Sequence, residues 1–155
     1  MNHEVLMKEA IKLSINNIEN GGGPFGAVIS KNGEIISKSV NRVTKDIDPT
    51  AHAEILAIRE AAKQLKTFNL NGCTIYCSCE PCPMCLGAIY WARIDKIFYA
   101  CSRHDAKNHG FDDEHLYNEI NLPIEQREIS FRQLLRNKAL EAFEKWEKNE
   151  KKILY

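Results

Sequence analysis

The chain has 155 residues, enough for one domain with a substantial core, and 44% hydrophobic against 27% charged residues fits a soluble globular protein rather than a disordered or fibrous one. Lys plus Arg and Asp plus Glu number 21 each, so no global basic field exists to gather a polyanion, which argues against a nucleic-acid partner. No apolar run approaches transmembrane length and no signal peptide precedes the first helical pattern, so no membrane association is expected and a reduced, cytoplasmic compartment is.

From Glu4 to Ile18 apolar residues recur at helical spacing through Met7, Ile11, Ile15 and Ile18, and Asn20-Gly21-Gly22-Gly23-Pro24 stops that helix. Phe25 to Ser30 and Glu34 to Val40 flank Lys31-Asn32-Gly33, whose Asn-Gly predicts a hairpin. Asn41 to Thr50 reads as a loop, with Asp48 or Thr50 expected to cap the helix over Ala51 to Lys66. Thr74 to Cys79 reads as a strand, Pro81 to Arg93 as a helix and Lys96 to Cys101 as a strand, an alternation that predicts a parallel pair joined by a helical crossover. Ser102 to Asn121 reads as loop plus a short helix, Arg127 to Gln133 as extended, and Leu135, Ala139, Phe143 and Trp146 as a last helix. The expected architecture is α/β, a three-layer α/β/α sandwich around a mixed sheet of about five strands.

Cys82 and Cys85 lie three positions apart in Pro81-Cys82-Pro83-Met84-Cys85, which places both thiols on one face of an opening helical turn. The positive helix end favours thiolate there, and helix starts tolerate the prolines. A second helix start, Ala51-His52-Ala53-Glu54, offers an imidazole and a carboxylate two residues apart and therefore on different faces. His52, Cys82 and Cys85 can then hold a metal with one position open, the catalytic zinc pattern, while Glu54 reaches that position without ligating. Zinc brings the pKa of a bound water toward neutrality, and Glu54 can take its proton and return it to a leaving amine.

Blander readings compete. A lone C-x-x-C is more often a redox pair or half of a structural site. Cys79, Cys82 and Cys85 also have an iron–sulfur rhythm, but Ile89 stands where the fourth cysteine is needed. Cys73, Cys77 and Cys101 read as small core residues in strands, and His104, His109 and His115 as solvated. His-x-Glu together with Pro-Cys-x-x-Cys is the signature of zinc nucleobase deaminases.

With Gly23 to Val28, Asn41, Asp48 to Glu54, Ser78 to Arg93, Gly110 to Asp113 and Tyr155 in view, the chain resembles the cytidine/nucleobase deaminase superfamily and, within it, the guanine deaminases. The resemblance implies a cytidine deaminase-like fold in a single domain over residues 1–155, one zinc with a bound water per subunit, and hydrolysis of guanine to xanthine and ammonia. It implies a purine base stacked on Phe25 and hydrogen-bonded by the Asn41 side chain and the backbone near Ala53, with Asp113 and Tyr155 also contacting it and Trp91 either lining the pocket or sitting in the core. It implies a homodimer in which the segment of about residues 123–155 crosses to the partner and lids the pocket. The superfamily signature is shared with tRNA adenosine deaminases and cytosine deaminases, so the reaction class is better fixed than the base, and a non-catalytic zinc module is the remaining rival.

Overall fold

The computed structural model describes residues 2–155, which form two compact units, one ending at Tyr117 and one running from Asn118 to Tyr155. The first unit is built on four strands, β1 (Gly26–Lys31), β2 (Glu34–Val40), β3 (Cys73–Cys79) and β4 (Lys96–Cys101), in the order β2-β1-β3-β4. β1 runs antiparallel to β2 and β3, whereas β3 and β4 are parallel, so the sheet is mixed as expected. Asn32 and Gly33 join β1 to β2 with φ of 52° and 89°, the left-handed values a two-residue hairpin of matching twist needs at both centres.

Strand periodicity sorts the core into two layers. Val28 and Tyr76 face α1 (His3–Glu19), packing with its Leu6 and Ala10. Ala27, Ile29, Ile75 and Cys77 belong to the opposite cluster, which holds Ala53, Ala57 and Ala61 of α3 (Ala53–Leu65) and Ile89 of α4 (Pro83–Trp91). Alanine at every fourth position of α3 keeps that helix close to the sheet and carries its N-terminus to a fixed point. Gly26 does the same for α1, since a Cβ there would lie 2.4 Å from the Ala10 carbonyl oxygen. Three layers result, with helices on both faces of the sheet.

Three local expectations are corrected. The loop after β2 contains a short helix, α2 (Val43–Asp46), and His52 rather than Asp48 or Thr50 is the N-cap of α3, without a side-chain cap bond. The Asp48 carboxylate is spent locally, accepting from the Thr50 N–H at 2.8 Å and its hydroxyl at 2.7 Å. The polar stretch after β4 holds two helices, α5 (Arg103–Asn108), closed by a Ser102–Asp105 capping box, and α6 (Asp113–Asn121).

The second unit takes up the end of α6, a 3-10 turn (Ile124–Gln126) and α7 (Arg136–Lys148), preceded by Leu135 at φ 55°. The expected extended segment from Arg127 to Gln133 forms no strand, which leaves the sheet at four strands instead of five. The start of that segment is tied back to the end of α6 instead: the Arg127 guanidinium donates to the Leu122 and Ile120 carbonyls at 3.1 and 3.0 Å, and the Glu128 N–H donates to Glu119 at 2.9 Å. No residue from 118 to 155 is buried, although the segment carries Phe131, Leu134, Leu135, Phe143 and Trp146. Among the described residues, no helix is long and apolar enough to cross a membrane.

Candidate metal centre and active site

β3 delivers the chain through Glu80 and Pro81 to Cys82, the N-cap of α4, with Pro83 at the first helical position and Cys85 in the first turn. The packing of α3 against α4 brings His52, the N-cap of the other helix, against both thiols. The His52 Nδ1 lies 3.6 Å from Cys82 Sγ and 3.5 Å from Cys85 Sγ, and all three donor atoms fall within 4.8 Å of one another. Zinc bonds of about 2.0–2.1 Å to nitrogen and about 2.3 Å to sulfur, at a tetrahedral angle, require N···S edges of roughly 3.5–3.6 Å. Those are the separations found. Two sulfurs and one imidazole nitrogen fit zinc in chemistry and in spacing.

Charge on the donors agrees with this. The Cys85 and His52 hydrogen bonds stabilise Cys82 as a thiolate and take its pKa down to about 4, against the cost of burial. The Cys82 partner and burial push Cys85 the other way, so without metal the pair shares one proton. Bonding to Cys82 raises His52. Glu54 is 7% exposed, and burial raises its carboxyl to about 6. The Cys85 thiol donates to its Oε2 at 3.5 Å. Cys79, by contrast, is pushed to about 12 by burial and donates to the Ser102 carbonyl at 3.7 Å, a protonated thiol outside the donor cluster.

A cavity of about 560 Å³ opens over this centre, within the size range of small-molecule sites. His52, Glu54 and Cys82 are part of its lining, the glycine loop Gly21 to Gly23 and Asn41 form another wall, and Phe25 meets Phe111 edge-on at 4.8 Å. Asp113, at the start of α6, adds a half-buried carboxyl raised by burial and by the nearby Cys82. Asn17 ties two of these walls together, its side-chain N–H groups reaching the carbonyls of Gly23 and Asn41, each at 2.8 Å.

Comparison with known proteins settles the family. Residues 1–101 match the family described as the cytidine and deoxycytidylate deaminase zinc-binding region. Guanine deaminase of Bacillus subtilis is 52% identical over 94% of each chain, and its crystal structure superimposes with a TM-score of 0.97 at 50% identity, covering 100% of this chain and 99% of that one. The chain belongs to the cytidine and deoxycytidylate deaminase family. A guanine deaminase structure from Nitrosomonas europaea matches with a TM-score of 0.69 at 34% identity, over 72% of this chain and 65% of that one. The tRNA-specific adenosine deaminase of Aquifex aeolicus is 46% identical over 64% of this chain and 66% of its own length.

The fold is cytidine deaminase-like, and His52, Cys82 and Cys85 are the cluster whose donor atoms could hold the zinc of this zinc-binding family. Of the residues singled out from the sequence, His52, Glu54, Cys82, Phe25, Asn41 and Asp113 line one cavity. Cys85 is buried behind it and Ala53 is 1% exposed between His52 and Glu54. Trp91 ends α4, is 69% exposed, and belongs neither to the core nor to that lining. Tyr155 belongs to the second unit, where it packs edge-on against Trp146 at 6.4 Å. Cys101 is exposed, unlike Cys73 and Cys77, which pack in the core as expected. His104, His109 and His115 are exposed. Sequence reasoning missed Glu80, Phe111 and Asn17 as parts of the site; Glu80, inside the Ser78 to Arg93 stretch, and Phe111, inside the Gly110 to Asp113 stretch, carried a signal, and Asn17 carried none.

Proposed function

We propose that this deaminase hydrolyses guanine to xanthine and ammonia. The observation that carries the reading is a three-donor zinc set with an open side, beside a buried Glu54, at the floor of a cavity walled by Phe25, Asn41 and Asp113. The guanine deaminase relative matches nearly the full length of both chains, whereas the Aquifex tRNA deaminase match stops near two thirds. Zero net charge also gives little purchase on a polyanion.

When bound, zinc supplies Lewis-acid chemistry that makes water a nucleophile near neutral pH. The chain's own groups do the rest. Glu54, with its carboxyl raised to about 6, takes a proton from the attacking water and gives it to the ring nitrogen beside the attacked carbon, then takes the proton of the hydroxyl left on that carbon and gives it to the departing amine as the carbon–nitrogen bond breaks. Phe25 offers an aromatic face to a planar base, and the Asn41 amide and the backbone near Ala53 offer donor and acceptor groups to its edge. Asp113 accepts from the N–H and amino groups of guanine, which adenine cannot match in the same places.

The same reading includes a homodimer in a reducing, cytoplasmic setting, in which residues of about 123–155 cross to the partner. All six cysteines are free, and no apolar side chain of the segment from 118 to 155 is fully buried, which leaves that surface for a second copy. Trp91 and Tyr155, each 69% exposed, would complete the site in that assembly.

Ammonia release is expected from guanine and not from cytosine, adenine or an anticodon stem-loop; release from the stem-loop alone would replace the proposed substrate with tRNA. Deleting Ile153 to Tyr155 is expected to leave one zinc per chain while guanine turnover drops at least tenfold, the scale of one or two lost substrate contacts. Full turnover in that truncation would take Tyr155 out of the site.

A further inference from the structure

The turn that presents the zinc-binding cysteines is held from outside by a closed ring of three side chains. Glu80, immediately before Pro81, accepts from the Arg103 backbone N–H at 2.9 Å and pairs with its guanidinium at 3.2 Å. The Glu80 N–H donates to the Cys101 carbonyl at 2.8 Å, so the turn is fastened to the end of β4 through both its backbone and its carboxylate. Arg103 stacks its guanidinium over the Tyr117 ring, 4.1 Å from the centroid. The Tyr117 hydroxyl then closes the ring by donating to the Pro81 carbonyl at 2.7 Å.

This matters because of what lies on either side. Pro81 precedes the ligand Cys82, and a carbonyl anchored one residue before a ligand restricts the swing of the thiolate. Tyr117 stands four residues after Asp113 on α6, on the same helical face, so the bond that fixes Tyr117 also fixes the carboxylate entering the cavity. Glu114 of α6 reinforces the register by pairing with Lys107 and, at 3.4 Å, with His104 of α5. None of Glu80, Arg103 or Tyr117 is among the zinc donors, and proline at position 81 removes any alternative N–H bond for that part of the turn.

We infer that Tyr117 is a positioning residue, locked by Arg103 and Glu80, that sets both the zinc-ligand turn and the approach of Asp113. The metal half of this stands without the guanine reading, while the Asp113 half rests on it.

Tyr117→Phe keeps the ring under Arg103 and removes only the hydroxyl, so the variant retains the aromatic packing. Two quantities separate the halves in the zinc-loaded enzyme: the rate at which zinc passes to excess chelator, and the KM and kcat for guanine. A lost hydrogen bond of ordinary strength predicts roughly three- to tenfold faster zinc release and a KM raised by a similar factor, with kcat within about twofold. Arg103→Gln, which leaves the hydroxyl but removes the stacked charge, is expected to move both in the same direction, and the double variant to fall short of the product of the two. Zinc release unchanged in Tyr117→Phe overturns the clamp, whatever the substrate proves to be. Faster release with an unchanged KM removes Asp113 from it.

Discussion

Glu54→Gln is expected to keep one zinc per chain and to lose about 10² to 10⁴ of the turnover on guanine, the scale on which a positioned proton donor and acceptor contributes. Gln has nearly the volume of Glu, and position 54 is not one of the three donors that meet at zinc spacing. What disappears is the proton carrier at the edge of the cavity. The metal-free variant adds a second, independent readout. Burial raises the Glu54 carboxyl from 4.5 to about 6, so its protonated form is the one favoured in the folded chain. That contribution to stability is fully present below pH 4.5 and is lost as pH rises through about 6, a difference of about 2 kcal/mol for 1.5 units. Metal-free Glu54→Gln should therefore gain on the metal-free parent as pH climbs from 5 to 8, by about 1.3 kcal/mol of that difference in denaturant titrations. Retained turnover would pass the proton-carrying role from Glu54 to another group, and lost zinc would make Glu54 a ligand.

The contrast between what was legible in the sequence and what was not follows the range of the interactions. His52 with Glu54, and Cys82 with Cys85, are pairs within one helical turn, so spacing alone fixes their relative directions. Their meeting could be inferred because metal chemistry demands a third and an open fourth position, a demand that acts across any sequence distance. The sheet elements were readable for a similar reason: Asn32-Gly33 admits few conformations, and β3 is buried at every position. Asn17, 24 residues from the Asn41 carbonyl it binds, looks in the sequence like one more polar residue near a helix end. Glu80 and Tyr117 likewise gain meaning only once β4, α5 and α6 are folded around the metal turn. The failed strand from Arg127 to Gln133 shows the converse, since its β-compatible composition is outweighed by side-chain bonds from Arg127 and Glu119 to local backbone. Trp91 marks the same limit, because helical spacing cannot tell a core face from a bare one without knowing what packs there, and it is exposed.

Cys82→Ala is expected to abolish zinc retention and with it all turnover, whereas Cys79→Ala should keep both. The two thiols differ in sequence only by a turn, and their surroundings drive them apart. Cys82 is drawn to the thiolate by Cys85 and His52, while burial holds Cys79 as a thiol, pushed to about 12 and directed to the Ser102 carbonyl. Removing Cys82 leaves one imidazole and one thiolate, too few to hold zinc against chelator. The affinity loss should exceed the roughly 10- to 100-fold that changes to groups behind the ligands cost. Stability supplies the check that activity cannot. At free zinc about 1,000-fold above its dissociation constant the parent gains about 4 kcal/mol from binding, and Cys82→Ala gains almost none. Melting curves of parent and variant should then lie far apart with zinc and draw together once the parent is stripped. Stoichiometric zinc surviving in Cys82→Ala, or lost in Cys79→Ala, would move the metal to a different set of thiols and with it the open position that Glu54 is placed to serve.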